Sequence, residues 1–408
     1  MSVIKPFKAL RPPADKAQYV ACVPYDVIYD SEVRELIAEN SLSFLRVTRP
    51  EGEYSAAETP SHEVVFERAK QNLEEFIRSG VLVQDDEDAI YVYRLKDGDR
   101  SQTGVVACCS IAEYDAGLIK KHEKTRPDKV ADRTEHMLTV GAQTGLIFLA
   151  FRNTGDIRDL IADAVTGEPL YHFSCPQNVE QTVWRMEFTD VWVEAFEELP
   201  ALYVADGHHR AESAKLARDK MRDANPNHNG GEEYNYVIAG MFPSEDLHIM
   251  PYNRVVKDLN GLDREEFFDK IRDNFILVDS IDDTPDTRGE MSMYFEGSWY
   301  KLRFKPDQPV KFDAITGLDV SILQNYLLAP VLGIGDPRTD TRIAFVGGAR
   351  GTAELKKMVD ACEAKVAFSM FPTTMDDLFA VSDMGEIMPP KSTWFEPKLK
   401  DGLLIHRI

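Results

Sequence analysis

The segment ALYVADGHHRAESAKLARDK, residues 201–220, has the residue types and spacing best suited to chemistry. Its apolar start predicts a buried strand, and Gly207 after that strand permits a tight turn and the close approach of a ligand. A helix is predicted from His208, and the free N–H groups and macrodipole of a helix start attract anions. His209 and Arg210 add donors at the same point, and a guanidinium offers a planar fork suited to a phosphate. The segment therefore predicts a phosphate or carboxylate site.

Asp206, at the rim of this turn, admits more than one interpretation. Its carboxylate could bind a metal ion or take a proton from a substrate hydroxyl. Aspartate is also a good helix N-cap, so the same residues could form a capped helix start with solvated histidines. A transition-metal site built from His208 and His209 is disfavoured, because successive helical residues point about 100° apart. The chain also has no HExxH spacing.

A second candidate is the polar segment IKKHEKTRPDKVADRTEHM, residues 119–137, which is a basic island in an acidic protein. Pro127 ends any helix before it and can begin one after it. Such a loop could close over a polyphosphate as a lid, and the alternative is a solvated charged helix. The residues of this segment that we expect at a ligand are His122, Glu123, Arg126, Lys129 and Arg133.

Two further segments carry polar groups in loops. Asp26 lies in the turn VPYDVI, and turn aspartates usually bond to their own backbone, so a structural role is favoured. The segment MPPKSTWF offers Lys391, Ser392 and Thr393 to an anion, but packing is the more ordinary role for such a loop. The glycine-rich run at 347–351 lacks the spacing of a dinucleotide-binding loop.

Charge and composition limit the partners of the chain. Acidic side chains number 69 against 47 basic ones, and the net charge is −22, so we expect no nucleic-acid partner. The five cysteines include no CxxC pair, which argues against a disulfide framework or a cysteine zinc site. No apolar run reaches the ~18 residues that span a bilayer, and the N-terminus lacks an apolar signal core. A cytoplasmic protein without a membrane partner is therefore expected.

Strand and helix patterns alternate along the chain, which predicts a mixed α/β layer structure. The length of 408 residues predicts more than one unit. An interruption at LNGLD predicts a first region at 1–258 and a C-terminal α/β region at 259–408, which could pack on the first as one unit. The predicted strands include FLRVTRP, residues 44–50, and a hairpin turned at residues 296–297. A helix is predicted over 318–330, ended by its proline.

Five quoted segments occur in one order along nearly the whole chain: VPYDVI, IKKHEKTRPDKVADR, ALYVADGHHRAESA, LDVSILQNYLLAPVLGI and MPPKSTWFEPKL. Together they resemble the family known as domain of unknown function 1015. The DGHHR turn is more distantly similar to the phosphate-binding turn of the ParB and sulfiredoxin superfamily, which includes free serine kinases. That resemblance implies a ParB/sulfiredoxin-like nucleotide-binding core with additional α/β segments, and places Gly207, His209 and Arg210 on nucleotide phosphates. His208 stands where sulfiredoxin has its catalytic cysteine, which argues against sulfinic-acid reduction.

Residues and resemblance together predict a nucleotide-dependent kinase that phosphorylates a small hydroxylated metabolite, such as free serine. ATP or ADP is the expected cofactor, with Mg²⁺ held mainly by phosphates and water. The expected catalytic residues are Asp206, His208 and Glu123, of which Asp206 or Glu123 would be the base. Further charge on the phosphates is expected from His122, Arg126, Lys129 and Arg133. Two alternatives stay open, a non-catalytic nucleotide sensor or switch that uses the same pocket, and a phosphoesterase.

Overall fold

The computed structural model describes residues 2–55, 57–58, 60–175, 178–305 and 312–408. The chain divides into two compact units. The first comprises Met1–Lys121, Thr125–Leu247 and Pro397–Ile408, and the second comprises His122–Lys124 and His248–Glu396. The boundary predicted between residues 258 and 259 therefore falls inside the second unit. The physical reason is that the strand Tyr252–Val256 pairs with strands that lie farther along that unit.

Strands and helices alternate along the first unit. Its strands as far as Pro243 are β1 (Ile4–Lys5), β2 (Leu10–Arg11), β3 (Val83–Gln84), β4 (Ile90–Asp97), β5 (Arg100–Ser110), β6 (Ile119–Lys120), β7 (Ala142–Gln143), β8 (Ile147–Phe151), β9 (Tyr171–Ser174), β10 (Val179–Met186), β11 (Leu202–Asp206) and β12 (Tyr236–Pro243). Its helices are α1 (Ala17–Val20), α2 (Asp30–Glu39), α3 (Leu45–Thr48), α4 (His62–Arg78), α5 (Ile111–Asp115), α6 (Pro127–Val140), α7 (Gly155–Ala164), α8 (Asp190–Glu197) and α9 (His208–Ala224).

Most of these strands form one nine-stranded mixed sheet, in the order β6-β11-β8-β12-β5-β4-β10-β9 with β1 against β5. β11 runs parallel to β6, and β12 runs parallel to β8, whereas β11 and β8 are antiparallel. Every residue of β8 is buried, as expected of a short apolar strand inside a covered sheet. The predicted mixed α/β organisation is confirmed, and β11 brings the turn that follows it to the end of a buried sheet.

Helix α9 packs on this sheet through small side chains. Ala211, Ala214 and Ala217 are buried in the same apolar cluster as Val204 of β11 and Ile147 of β8. Their spacing of three residues places them on one face of the helix, and their size lets the helix lie close to the strands. The start of α9 is therefore held against the ends of β11 and β8.

The second unit is built on a six-stranded antiparallel sheet in the order β15-β17-β16-β19-β14-β18. The strands of this unit are β13 (His248–Met250), β14 (Tyr252–Val256), β15 (Phe275–Ser280), β16 (Glu290–Phe295), β17 (Ser298–Phe304), β18 (Ile343–Gly347), β19 (Val366–Met370) and β20 (Trp394–Glu396). The helices of this unit are α10 (Arg264–Asn274), α11 (Asp319–Leu323), α12 (Gly351–Asp360) and α13 (Met375–Asp383). The predicted hairpin is confirmed between β16 and β17. The chain then returns to the first unit, where β21 (His406–Arg407) pairs with β7.

The helix predicted over 318–330 begins as α11 and continues as the π-helical turn Gln324–Leu328. The strand predicted at FLRVTRP is wrong, because Leu45–Thr48 forms the short helix α3 and Pro50–Glu53 a 3-10 turn. Leu45 and Val47 are buried in a cluster with residues of α4. Burial against a neighbouring helix has overridden the weak local preference of these residues for a strand.

Two general features of the chain follow from the described residues. All five cysteines are free thiols, and Cys362 is exposed whereas the other four are buried. Among the helices that the structure describes, none has both the length and the apolar composition to cross a membrane.

Candidate functional site

The predicted strand–glycine–helix turn is confirmed at the end of β11. Gly207 has a φ of 86°, a left-handed conformation that glycine adopts without strain, and α9 begins at the next residue. The Gly207 N–H donates to Asp206 Oδ1 over 2.8 Å. A side chain at Gly207 would also lie 3.4 Å from the backbone of Ile147. The first N–H groups of the 17-residue helix α9 therefore face a tight turn at Gly207.

Asp206 does not cap the helix, and forms an ion pair instead. The N-cap of α9 is Gly207, whereas Lys398 Nζ donates to Asp206 Oδ2 over 2.5 Å. Burial would raise the pKa of Asp206, but the ion pair with Lys398 outweighs it and holds that pKa well below its usual range. The Asp206 side chain is still 39% exposed, so a ligand can reach an ionised carboxylate at the helix start.

The Arg210 guanidinium is paired with other groups of the first unit. Its Nη1 donates to the Leu146 carbonyl over 2.8 Å and to Asp401 Oδ1 over 3.3 Å, and Nη2 lies 4.0 Å from Asp26 Oδ1. Asp401 is only 2% exposed, and burial raises its pKa to about 6 against the opposing effect of Arg210. The expected phosphate donor is thus already paired with buried and half-exposed carboxylates.

The segment VPYDVI also lies beside Arg210. The sequence alone favoured a purely structural role for this turn and did not predict it at the site. The Tyr25 ring lies 4.5 Å from the guanidinium of Arg133 and 5.4 Å from that of Arg210. Burial is the main cause that raises the pKa of the Tyr25 hydroxyl above its usual range. Arg133 also donates to Asp132 Oδ2 over 2.7 Å. This bond to a neighbour on α6 fixes the guanidinium over the Tyr25 ring. One tyrosine is therefore covered by two cations from distant parts of the sequence.

These residues line a pocket that is open to solvent. His136 also lines it, and burial lowers the pKa of His136 to about 3, so that side chain is neutral near neutral pH. The charges at the wall are therefore those of two arginines and Asp401, with Asp26 beside Arg210. The lining residues are Tyr25, Arg133, His136, Met137, Ala142, Gln143, Thr144, Gly145, Arg210, Val237 and Asp401.

The other predicted ligand residues of the first unit lie near the helix start or in solvent. His209 Nε2 accepts the Arg126 N–H over 3.1 Å, which joins the loop before α6 to the first turn of α9. The Arg126 side chain is exposed and paired with Asp128 over 2.8 Å. Lys129 is exposed on α6, which begins at Pro127 as its position predicted. His208 is only 3% exposed.

The predicted residues His122 and Glu123 belong to the second unit. His122 is 1% exposed, its Nε2 lies 3.1 Å from Thr393 Oγ1, and its carbonyl accepts the Met388 N–H. Glu123 is half-buried. The structure therefore brings His122 to the MPPKSTWF segment, a pairing that neither segment predicts by itself.

Lys398, Asp401 and Gly145 are the site residues that the sequence reasoning missed. The two charged residues lie in the last 12 residues, Pro397–Ile408, which return to the first unit. The signals were the segment MPPKSTWFEPKL, which includes Lys398, and the alternation of charges in EPKLKD, which also suits a solvated tail. Within the described ranges, no group of three or more His, Cys, Asp or Glu side chains is placed to hold a metal ion.

Gly145 is required by the Arg210–Asp401 pair, and its substitution by alanine is expected to cost about 1–3 kcal/mol of unfolding free energy. A Cβ there would lie 2.3 Å from Asp401 Oδ1 and 2.8 Å from Arg210 Nη1. Chemical denaturation measures the cost. The control is Gly155→Ala in α7, where a Cβ meets nothing and the helix should gain slightly in stability. Equal stability of the two variants would contradict the packing argument.

Comparison with known proteins gives one family match. A family model described as "Protein of unknown function (DUF1015)" matches residues 4–321, and no curated protein matches the chain. Among solved structures, a free serine kinase in complex with AMP is 12% identical at a TM-score of 0.35, with 74% of this chain and 91% of that chain covered. A conserved hypothetical protein from Pyrococcus furiosus is 12% identical at a TM-score of 0.36, with 74% of this chain and 95% of that chain covered. SbnI from Staphylococcus aureus, truncated at its C-terminus, is 12% identical at a TM-score of 0.39, with 74% of this chain and 87% of that chain covered.

Proposed function

The chain belongs to the DUF1015 family of proteins of unknown function, and from its site we propose a nucleotide-dependent kinase that phosphorylates a small hydroxylated metabolite. The observation that carries this proposal is the Asp206–Lys398 pair at the start of α9. The helix start and this pair bring together three groups that phosphoryl transfer uses: backbone N–H donors, a cation and an ionised carboxylate. A ParB/sulfiredoxin-like nucleotide-binding core is part of the same proposal.

The phosphates of ATP or ADP are assigned to the turn at Gly207. There the backbone N–H groups of α9 face a phosphate, and Lys398 adds a positive charge 2.5 Å from Asp206. His209, which holds the Arg126 backbone, fixes the basic loop beside the turn. In this arrangement Arg210 does not contact the phosphates directly, because its guanidinium is paired with Asp401 and the Leu146 carbonyl.

Asp206 is the best candidate to contact the transferred group. Its depressed pKa makes it a weak base, but a permanent carboxylate can orient a substrate hydroxyl or accept Mg²⁺. We propose that this Mg²⁺ is held mainly by phosphates and water. His208 is buried at the first position of α9, which suits support of the turn. Glu123 belongs to the second unit and has no role in the site proposed for the first.

The pocket beside the turn is proposed to hold the acceptor. Two guanidinium groups and the carboxylate of Asp401 line it, and Asp26 and Asp132 lie beside the two arginines, so the pocket presents charges of both signs. Such a set suits a small zwitterion or polyol better than a polyphosphate, because each charge of a zwitterion finds an opposite partner. A hydroxylated amino acid such as free serine fits this description.

Nucleotide binding is tested by calorimetric titration of the full chain with ADP and Mg²⁺. Lys398→Met is expected to weaken binding by about 10–100-fold, the usual effect of a lost charge-assisted hydrogen bond. The matched control is Lys215→Met, which removes a lysine of α9 that pairs with Asp115 over 3.2 Å. That control should bind ADP like the unsubstituted chain.

These titrations, together with assays for phosphorylated product and for released phosphate, decide between the three functions considered for the site. No heat with any nucleotide would overturn both the kinase and the nucleotide sensor. Binding without a phosphorylated product, across a panel of hydroxylated amino acids and sugars, would favour the sensor. Release of inorganic phosphate that is independent of any acceptor would favour the phosphoesterase.

A further inference from the structure

Arg254 is a buried cation in the sheet of the second unit. It lies on β14, opposite Phe345 of β18 and Phe368 of β19, and is 3% exposed. Its neighbours on the same strand face, Tyr252 and Val256, are also buried. A guanidinium among such side chains loses most of its hydration, which is costly unless an opposite charge replaces the water.

No opposite charge is found for Arg254 among the residues that the structure describes. Its guanidinium donates only to backbone carbonyls, those of Tyr252, Pro390 and Lys391, the last over 3.1 Å. Burial lowers the pKa of Arg254 to about 9, and no carboxylate counters this effect. The side chain therefore remains positive at neutral pH, without a counter-charge in its own unit. Arg303 of the same unit, by contrast, donates directly to the buried Glu290.

The surroundings of Arg254 are cationic and aromatic. Lys391 is exposed, has a φ of 57°, and its Nζ lies 5.4 Å from the Tyr252 ring. The same ring packs edge-on against Trp394, with centroids 5.3 Å apart. Arg254 itself lies 5.4 Å from the Phe345 ring. The exposed Lys391 and the buried guanidinium thus border the same aromatic cluster of Tyr252, Phe345 and Trp394.

The loop that carries Lys391 is held in place by its own hydrogen bonds. Ser392 Oγ donates to the Pro389 carbonyl over 2.7 Å, and Thr373 Oγ1 donates to the Ser392 carbonyl over 2.9 Å. The loop thereby presents its carbonyls to Arg254 in a fixed geometry. These carbonyls accept hydrogen bonds from Arg254, but carbonyl dipoles neutralise the full positive charge of a guanidinium only in part.

We propose that the second unit binds a small anion, through a carboxylate or phosphate group, at Arg254 and Lys391. A guanidinium has five N–H donors, which the carbonyl contacts do not exhaust, and its fork matches either anionic group. The proposal gives a role to the MPPKSTWF segment that packing alone does not. It does not depend on the kinase proposed for the first unit.

The test is a titration of the full chain with inorganic phosphate and, separately, with acetate, at an ionic strength held constant with sodium chloride. The readout is Trp394 fluorescence, isolated as the difference from the Trp394→Phe variant. A saturable change is expected with at least one probe, and the probe that saturates identifies the anionic group. Lys391→Ala is expected to raise the half-saturation concentration by about tenfold or more, and Arg254→Met to abolish the change.

Three controls separate this site from other effects. Lys356→Ala removes an exposed lysine that lies 5.0 Å from the Tyr294 ring of the same unit, and should leave the titration unchanged. Lys398→Met, in the first unit, should also leave the Trp394 signal unchanged. If Arg254→Met does not fold, Arg254→Lys keeps the charge without the fork and should bind more weakly. A flat response to both probes, or equal titrations for Lys391→Ala and the unsubstituted chain, would overturn the proposal.

Discussion

Asp206→Asn is expected to lower the rate of phosphoryl transfer by at least about 100-fold, in the range found for positioned catalytic carboxylates. Asparagine keeps the size of the side chain and can still accept the Gly207 N–H. It removes the negative charge that would orient the acceptor hydroxyl or hold Mg²⁺. The measurement is the initial rate of product formation with ATP and ADP across the panel of hydroxylated acceptors, followed by mass.

An ion pair farther along α9 provides the control for this prediction. Asp115 pairs with Lys215 of α9 over 3.2 Å, about two turns from the helix start. The Asp115→Asn variant should therefore transfer phosphate at the rate of the unsubstituted chain. If Asp206→Asn binds ADP and also transfers phosphate at that rate, the assignment of Asp206 is wrong, although nucleotide binding at the turn would stand.

Arg210→Ala is expected to lower the unfolding free energy by about 3–5 kcal/mol, because it leaves a buried carboxylate without its partner. Asp401 is 2% exposed and has the Arg210 guanidinium 3.3 Å away. Denaturant titration measures the cost. Arg218→Ala on the same helix is the control, because its partner Asp115 is 34% exposed and regains water when the arginine is lost. The control should cost clearly less.

This cost is expected to depend on pH. Asp401 has a folded pKa of about 6 against 3.8 when unfolded, so the folded state holds the extra proton between these values. Its contribution to stability is therefore complete below about pH 3.8 and is lost as pH rises to about 6. Without Arg210 the folded pKa rises further, so Arg210→Ala should cost more at pH 7 than at pH 5.

The double variant Arg210→Ala/Asp401→Asn completes this test. It removes the isolated charge, so part of the lost stability should return and the two substitutions should not be additive. Additive costs that are equal at both pH values would show that the two residues are not coupled, and would contradict the ion pair.

The sequence by itself determined the local features of this protein. The apolar run at 201–205 and Gly207 predicted the turn between β11 and α9, because strand burial and left-handed backbone are encoded in neighbouring residues. Pro127 marked the start of α6, and the glycine at residue 297 marked a hairpin. The order of five segments also predicted the family, which the match over residues 4–321 shows.

Only the tertiary structure decided which distant charges meet. Lys398 reaches Asp206 across 192 residues, and Asp401 reaches Arg210 across 191. Such pairs depend on how residues 397–408 return to the first unit, and no local pattern records that path. The same reason explains α3, where burial against α4 outweighed a strand-like composition. Short-range preferences fix turns and helix starts, whereas the partner of a buried charge is fixed by packing, which the whole chain determines at once.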